Sequence, residues 1–336
     1  MADWYKDDGF QGDIVLSTRI RLARNIKDIP FPSKMSDEDA KKVIDLTENA
    51  LNDANIKFNK INLNELSKTE KEILVENHYI SPNLAKQKKP CAVFISEDES
   101  VSIMVNEEDH IRMQSIFAGL ECQKAYDIIS RADAYLADKL QYAVHPQYGY
   151  LTSCLTNAGT GMRVSFMLHL PAICWCSVAE SMFAALGKLG ITVRGMYGEG
   201  TKASGYLFQI SNQMTLGVDE KEIINKLYDI VNQVITKEKE LRASLIRQRG
   251  PVLEDKIMRS LGILKSARVL SSSEMMGLFS YVRLGISQGL IIDADTRTLN
   301  TLMIETSPAH LTHDNTTVME RDVERAALVR KKLNEK

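Results

Sequence analysis

Several features that would assign this chain to a membrane, a secreted or a nucleic-acid-binding class are missing from it. It has no run of roughly 18 or more apolar residues, and residues 1–20 lack the apolar core of a signal peptide. These absences predict a cytoplasmic protein with no membrane span. Lysine plus arginine number 42 and aspartate plus glutamate 44, so no bulk charge favours nucleic acid or a membrane surface.

Cysteine is also scarce, and its pattern excludes two classes. The five cysteines are odd in number, and in an intracellular type of chain they argue against a disulfide framework. Cys174 and Cys176 form a CxC pair without a second pair at zinc-finger spacing, so we interpret them as apolar filling of a helix and expect no metal site there. Low-complexity linkers and internal repeats are absent, and the 336-residue length favours two domains.

Against this background, one acidic stretch is unusual. Residues 101–105 form an apolar-rich run typical of a buried strand, and the sequence Asn-Glu-Glu-Asp-His-Ile-Arg follows at residues 106–112. Most acidic runs lie on a solvated surface. Here a core strand delivers Glu107 and Glu108 to a rigid edge, where a carboxylate could act as a general base or hold a cation.

A second stretch carries arginines. Apolar residues alternate with others over residues 14–25, and the alternation predicts a strand with Ser17, Arg19 and Arg21 on one face. Two arginines spaced by two could hold two phosphates of one polyphosphate, because the guanidinium donates bidentate hydrogen bonds and stays charged. A solvated edge strand explains this stretch equally well.

A third stretch, residues 151–163, contains Thr-Asn-Ala-Gly-Thr-Gly and ends at Arg163. We expect it to join a strand to a helix whose first N–H groups bind an anion. It is neither a Walker A loop nor a dinucleotide-binding GxGxxG. Cys154 in this stretch is either a reactive thiolate or a small buried apolar residue, and the second interpretation is the more common one. Residues 191–200 add a strand and a Gly-rich turn that contains Arg194 and Glu199.

The remaining pattern indicates an α+β chain with an all-helical C-terminal region. We expect helices over 36–55, 65–77, 120–142, 168–188 and 219–249, and strands over 91–95 and 206–212. Gly250-Pro251 should end the long helix and separate a domain of residues 14–245 from one of residues 251–336. Short helices over 252–261, 272–286 and 295–305 should precede a charged helix from residue 318. Arg321 and Arg325 share a face of that last helix beside Asp322, a pattern that usually marks a salt-bridged surface helix.

Four of these motifs, in this order, resemble those of the phosphagen (guanidino) kinases. They are Ser-Thr-Arg-Ile-Arg at 17–21, the acidic motif at 106–112, Cys-Leu-Thr-Asn-Ala-Gly-Thr-Gly-Met-Arg at 154–163, and Arg-Gly-Met-Tyr-Gly-Glu at 194–199. The resemblance covers roughly residues 14–240 and implies a mainly antiparallel sheet flanked by helices. We expect the chain to lack the family's N-terminal substrate-selecting domain, because the first motif lies only 16 residues from its start. That feature, the extra C-terminal region and the Arg-Asp-Val-Glu-Arg-Ala motif at 321–326 resemble the branch that acts on arginine in proteins.

The resemblance implies a role for each matched position. Glu108 would be the catalytic base, Glu199 would hold the far side of the guanidinium, and Cys154 would lie against one of its nitrogens. ATP with bridging Mg²⁺ would be bound by Arg19, Arg21, Arg112, Arg163 and Arg194. Ser17 and His78 fall at nucleotide-contacting positions. The same nucleotide-binding segments include Thr18, Ile20, Val164, Ser165, Phe166, Met167, Gly195, Met196, Tyr197, Gly198 and Glu199. At Leu155 the family often has proline.

The resemblance also implies partners. The acceptor would be an arginine side chain in a protein, and Arg321, Asp322 and Arg325 would form an allosteric phosphoarginine pocket in a dimerising C-terminal region. Misfolded proteins and a stress-gene repressor would be marked for Clp proteolysis, with a zinc-binding activator as a further partner. Two alternatives stay open from sequence: a kinase of free arginine or another small guanidine, and an inactive nucleotide- or phosphoarginine-binding regulator.

Overall fold

A computed structural model describes residues 4–52, 54, 56–195, 204–313 and 316–335. Its strands are β1 Val15–Arg24, β2 Phe58–Asn62, β3 Ala92–Ser96, β4 Val101–Val105, β5 Ile111–Ala118, β6 Val144–His145, β7 Gly149–Tyr150, β8 Met162–His169, β9 Ile191–Gly195 and β10 Leu207–Asn212. Its helices are α1 Asp37–Asn52, α2 Lys68–Glu76, α3 Pro82–Ala85, α4 Cys122–Lys139, α5 Pro171–Trp175, α6 Ala179–Lys188, α7 Glu220–Ser266, α8 Ser272–Ser287, α9 Thr296–Glu305 and α10 Val318–Asn334.

Eight of the strands form one antiparallel sheet in the order β2-β3-β4-β5-β1-β8-β10-β9. β6 and β7 pair separately as a short hairpin. α4 packs against β1 and β5, and α7 packs against β8 and β10. Every second side chain of the strands is apolar and points toward these helices, and these side chains fill the main core between the sheet and the helices. The predicted α+β fold with a mainly antiparallel sheet and a C-terminal helical region is confirmed.

The C-terminal helices form a second core. α8, α9, α10 and the last third of α7 contribute most of its buried apolar residues, such as Ile257, Phe279 and Leu299. The N-terminal Trp4 and Tyr5 join the same core, as does Leu16 of β1. The C-terminal helices therefore pack on the N-terminal segment and on strand β1 of the sheet. Among the described residues, no helix has the length and apolar character needed to cross a membrane.

Two local predictions are wrong. The segment after the Gly-rich loop is strand β8 and not a helix, and the helix expected from residue 168 starts only at Pro171 and is divided into α5 and α6. β8 pairs with β1 on one side and β10 on the other, and this pairing favours a strand where the Gly-rich loop alone had suggested the start of a helix. The strands β2 and β5 were not predicted.

The long helix also departs from prediction, because α7 continues past Gly250-Pro251 to Ser266. The only trace of the expected end is a non-helical backbone at Arg249, with φ −132° and ψ 22°. Proline disfavours helix in the residues before it, which explains the kink. Buried Leu253, Ile257 and Leu261 keep the second half packed in the C-terminal core, so the helix resumes. The division into residues 14–245 and 251–336 stays a prediction.

A buried polar network joins α7 to the end of β8. Both carboxylate oxygens of Glu238 accept backbone N–H groups of α5, from Ala172 at 3.1 Å and from Ile173 at 2.9 Å. Arg242 donates from Nε to Glu238 at 2.7 Å and from Nη2 to the His169 carbonyl at 3.1 Å. The network is buried and holds α7 against the end of β8 and the start of α5.

Candidate functional site

The site is built on the sheet face opposite the main core. In the register of β1, Arg21 lies between Gln114 on β5 and Arg163 on β8, and Arg19 lies opposite Ser165 on β8. Side chains alternate along a strand, so Arg19 and Arg21 point to the same face. Antiparallel pairing thus brings arginines that are far apart in sequence into one cluster.

These guanidiniums are crowded against one another. Burial lowers the pKa of Arg19 to about 10, with Arg112 and Arg163 adding repulsion. Burial and the neighbouring arginines also lower the pKa of Arg21 well below its ordinary value. The Nε atoms of Arg21 and Arg163 are buried and have no hydrogen-bond partner among the described residues. Such a cluster favours a multivalent anion, because an anion would supply both the missing charge and the missing acceptors.

Two neighbouring cavities lie on this face. One has a volume of about 290 Å³ and the other about 820 Å³, and Arg19, His78 and Met303 line both. The smaller is also lined by Trp4, Ser17, Ile116, Ser165, Met167, Arg194, Gly195 and Gln209. The larger is lined in part by Arg21, Glu107, Arg112 and Gln114, and by C-terminal residues from Ser272 to Pro308. The space has the size of a small-molecule site and lies between the sheet and the C-terminal helices.

His78 is placed at the junction of the two cavities. Its backbone has a left-handed φ of 65°, and its ring lies 5.4 Å from the ring of Trp4. Burial, with repulsion from Arg19, lowers the pKa of His78 to about 3. The imidazole is therefore neutral at physiological pH and adds no charge to the arginine cluster.

The acidic motif is a tight loop between β4 and β5. Asn106 has a φ of 66°, its N–H donates to the His110 carbonyl at 2.9 Å, and its amide donates to Ala40 and Pro90. Glu107 is buried, accepts from Arg112 at 2.5 Å and also accepts from the Ser81 hydroxyl. The loop is thus anchored at both ends.

Glu108 is the exposed glutamate of this loop. Partial burial raises its pKa, the charges of Asp109 and Glu107 raise it further, and Arg112 opposes the shift. A carboxylate with a raised pKa is a stronger proton acceptor while it stays ionised near neutral pH. Glu108 therefore has the chemistry of a general base, whereas Glu107 is occupied by its partners.

Asp109 links the acidic loop to the Cys154 loop. Its Oδ1 accepts a hydrogen bond from Asn25 Nδ2 at 2.6 Å and another from the backbone N–H of Ser153 at 2.6 Å. Asn25 in turn accepts the His110 N–H at 2.8 Å. Sequence reasoning missed this role of Asn25 and Asp109. The only signal was their position, at the end of the arginine strand and inside the acidic run.

Cys154 is half-buried and precedes a 3-10 turn, Leu155–Asn157. Its Sγ lies 3.0 Å from Thr156 Oγ1. Gly159 has a φ of 102°, and a Cβ there would lie 2.3 Å from the Thr215 carbonyl oxygen, so the close packing of this loop requires glycine. Because β8 follows the loop, the helix N-terminus that was expected to bind an anion does not exist.

The remaining predicted nucleotide-site residues divide between the two sheet faces. Ser17, Ser165, Met167, Arg194 and Gly195 line the smaller cavity. Ile20, Val164 and Phe166 lie in the core on the other face, and Thr18 donates there to the Gly119 carbonyl at 2.6 Å. These four can reach a ligand only through their backbone. Met196, Tyr197, Gly198 and Glu199 lie outside the described residues.

The predicted C-terminal pocket residues have different environments. Arg325 is buried, donating to the Thr306 carbonyl at 3.0 Å, to the Leu270 carbonyl at 2.9 Å and to Asp322. Arg321 donates to Thr312 Oγ1 at 3.1 Å and lines a separate cleft of about 530 Å³. Other basic residues of that cleft are Lys68, Lys71 and Lys86. Arg321 is therefore the member of the trio that faces open space.

Known proteins resemble this chain over nearly its whole length. A family model for the ATP:guanido phosphotransferase C-terminal catalytic domain matches residues 40–241, and one for the protein-arginine kinase McsB C-terminal domain matches residues 250–336. The protein-arginine kinase of Pelotomaculum thermopropionicum is 45% identical over 338 residues, covering 98% of this chain and 95% of that protein. The protein-arginine kinase of Geobacillus stearothermophilus is 45% identical over 341 residues, covering 99% of this chain and 94% of that protein.

Solved structures share the fold of the larger region. A duplicated taurocyamine kinase from Schistosoma mansoni with bound transition-state analog components aligns with a TM-score of 0.63 and 26% identity, covering 70% of this chain and 34% of that chain. Lombricine kinase aligns with a TM-score of 0.63 and 24% identity, covering 70% of this chain and 69% of that chain. The second likeness, at this low identity, bears on the fold alone.

Proposed function

We propose residue roles for a chain that belongs to the ATP:guanido phosphotransferase family and is, within that family, a protein-arginine kinase. Such an enzyme transfers the γ-phosphoryl group of ATP to the guanidinium of an arginine side chain in a protein. The observation that carries our assignment is the cluster of crowded guanidiniums beside a loop that presents one exposed glutamate of raised pKa.

The triphosphate binds the arginine cluster. Arg19, Arg21 and Arg163 lie together on β1 and β8. The buried Nε atoms of Arg21 and Arg163 and the mutual repulsion of the three guanidiniums support an anionic ligand. Arg112 and Arg194 line the cavities on either side. Positive charge placed close to the transferring phosphoryl group lowers the activation barrier of the transfer, because negative charge accumulates on the phosphoryl oxygens in the transition state. Ser17 and His78 contact the rest of the nucleotide.

Mg²⁺ accompanies the nucleotide and supplies further charge neutralisation at its phosphates. Among the described residues, no three histidine, cysteine, aspartate or glutamate side chains are grouped as a metal site. Mg²⁺ would be held by oxygens of the bound triphosphate and by water, a mode that it commonly adopts. The arginines fit this arrangement because they repel a bare cation but bind its complex with a triphosphate.

The acceptor guanidinium lies between Glu108 and Cys154. A guanidinium is a poor nucleophile, since its pKa exceeds about 12. Glu108 orients the group and takes one proton as nitrogen attacks phosphorus. The Cys154 sulfur lies against a second nitrogen, and Asp109 sets the position of its loop relative to Glu108. Glu199 is assigned to the far side of the guanidinium by its place in the family motif.

The C-terminal region provides regulation. We assign an allosteric phosphoarginine site to the face of α10 that carries Arg321, Asp322 and Arg325. The cleft beside Arg321 supports this, because its lysines suit a phosphate group. In this arrangement Arg325 and Asp322 hold the site together from inside, and Arg321 contacts the ligand.

The wider setting is proposed from the family resemblance. The substrates are exposed arginines of misfolded proteins and of a stress-gene repressor, and the products go to Clp proteolysis in the cytoplasm. A zinc-binding protein acts as activator, and the C-terminal region dimerises. The proximity of sheet and C-terminal helices at the cavities gives a route by which such partners change nucleotide binding.

The assignment is tested by product analysis. Purified protein is incubated with ATP and Mg²⁺ and either unfolded casein or free arginine, and acid-labile phosphoarginine is measured by mass spectrometry. Phosphate on casein arginines is expected, and Glu108→Gln should reduce the rate by about 10²–10⁴-fold. Glu97→Gln, at an exposed turn, is the matched control. Product on free arginine alone, or full activity of Glu108→Gln, would contradict the assignment.

A further inference from the structure

The smaller of the two cavities is lined in part by the N-terminal segment. Trp4 begins a short 3-10 helix, Trp4–Lys6, which packs against helix α9 and strand β5. Its indole ring lines the cavity together with Met303 of α9. Neither residue belongs to the four motifs that resemble those of the phosphagen kinases. The N-terminal segment and the C-terminal helices therefore supply part of a cavity that otherwise belongs to the sheet.

The sheet supplies the other wall of this cavity. Ser165 and Met167 lie two residues apart on β8, and Gln209 on β10 is paired with Met167. Residues two apart on a strand, and residues directly opposite on neighbouring strands, share a face. These side chains therefore lie on the same sheet face as the arginine cluster, and Trp4 and Met303 approach that face from outside the sheet.

The cavity lining combines three kinds of group. Two guanidiniums, of Arg19 and Arg194, suit phosphate oxygens. The hydroxyl of Ser17 and the amide of Gln209 suit the polar edges of a ribose or a base. The apolar and aromatic lining suits a flat ring and comes from Trp4, Ile116, Met167 and Met303. A nucleotide carries all three kinds of partner.

The indole of Trp4 is not explained by packing alone. Trp4 is 7% exposed, and its Nε1 has no hydrogen-bond partner among the described residues. A buried tryptophan N–H usually has such a partner. Its ring lies 5.4 Å from that of His78 with an interplanar angle of 55°, so the two rings are tilted and not stacked on each other. A smaller apolar side chain would serve the core equally well.

We propose that Trp4 binds the purine base of ATP, with the base against the indole ring and Met303 beside it. This role rests on the proposed function and adds a residue for the base to the arginines that bind the phosphates. Loss of an aromatic ring that stacks on a base lowers affinity by roughly 5- to 150-fold. Because Trp4 and Met303 belong to the C-terminal core, the bound base also joins that core to the sheet.

Tryptophan fluorescence tests the contact directly. The chain has two tryptophans, so Trp175→Phe leaves Trp4 as the single indole. In this full-length variant, ATP with Mg²⁺ should quench the emission of Trp4 in a saturable way. Inorganic tripolyphosphate with Mg²⁺ has no base and should leave the emission nearly unchanged. Calorimetric titration of the same protein gives the occupancy by each ligand.

Two substitutions at Trp4 separate base binding from folding. Trp4→Leu keeps apolar bulk but removes the ring, so the Kd for ATP should rise roughly tenfold while the Kd for tripolyphosphate stays the same. Trp4→Phe retains a ring and should keep most of the affinity for ATP. Trp175→Leu is the matched control, because Trp175 stacks on Tyr281 at 5.1 Å and packs against the same C-terminal core. It should change neither Kd.

The outcomes distinguish this role of Trp4 from the proposed function. Unchanged Trp4 emission at saturating ATP would overturn the role, because the base would then lie elsewhere, as in the larger cavity. An equal rise of both Kd values in Trp4→Leu would also overturn it, since Trp4 would then only support the fold. A native protein that binds no ATP would instead refute the proposed function itself.

Discussion

Substitution of Asp109 tests whether the acidic loop and the Cys154 loop act as one unit. Asp109→Ala removes the acceptor for two donors, Asn25 Nδ2 and the Ser153 N–H, each at 2.6 Å. An unsatisfied buried donor costs about 1–3 kcal/mol. Only the Asn25 donor is buried, because Ser153 is exposed and its N–H can bind water, so the free energy of unfolding should fall by about 1–3 kcal/mol. Asp109→Asn retains the acceptor oxygen and should lose no more than about 2 kcal/mol.

The two variants also separate position from charge. The charge of Asp109 helps to raise the pKa of Glu108. Asp109→Asn should lower that pKa, and a base must be ionised to act, so the acid limb of the pH profile should move to lower pH. Asp109→Ala should move the limb likewise and should also lower kcat, by about tenfold to a hundredfold, because the Cys154 loop is no longer held.

Urea unfolding and the pH dependence of kcat/KM on unfolded casein measure these effects. Asp138→Asn, at an exposed carboxylate near the end of α4, is the matched control and should change neither. The reasoning would be refuted if Asp109→Ala unfolded at the same urea concentration as the native protein. An acid limb that stayed in place in Asp109→Asn would equally exclude the assigned influence on Glu108.

Three further predictions concern buried charge. Arg21→Met should leave the melting temperature of the ATP-free protein unchanged or higher, since it relieves repulsion with Arg19, and should lower kcat/KM for ATP by about 10²-fold. In the native protein, the pKa of His78 is lower in the folded than in the unfolded state, so the free energy of unfolding should fall as the pH is lowered from 6.5 to about 3. His78→Asn, which suits the left-handed backbone, should remove this part of the pH dependence. Glu238→Ala should lower the free energy of unfolding by about 3–5 kcal/mol, because the charge of Arg242 stays buried without its partner.

Calorimetry at several pH values measures the changes in stability, and initial rates over a range of ATP concentrations measure kcat/KM for ATP. Arg131→Met and Glu240→Gln change exposed residues of the same types and serve as controls. A clearly lower melting temperature of ATP-free Arg21→Met would show that the arginine cluster is stabilising. If His78→Asn still lost stability steeply between pH 6.5 and about 3, a group other than His78 would be titrating. A Glu238→Ala variant as stable as the native protein would contradict the role of the buried pair.

Local sequence determined the elements in which periodicity and capping agree. The alternation in β1 placed Arg19 and Arg21 on one face, because side chains of a strand repeat every two residues. Helix α10 begins at its Thr317 capping box, where the apolar pattern also begins. The position of Glu108 at the end of a buried strand was likewise readable, since both the apolar run and the acidic motif are contiguous in sequence.

Tertiary structure decided what depends on contacts between distant segments. The segment after Gly161 became a strand because it pairs with β1 and β10, and α7 continued past Pro251 because its second half packs in the C-terminal core. The bond from Asp109 to Ser153 and the placement of Met303 beside Arg19 likewise join residues far apart in sequence. No local pattern encodes such pairings, because their energy arises only when the chain has folded. The sequence by itself determined the chemical groups of the site, and the sheet register and helix packing determined their arrangement.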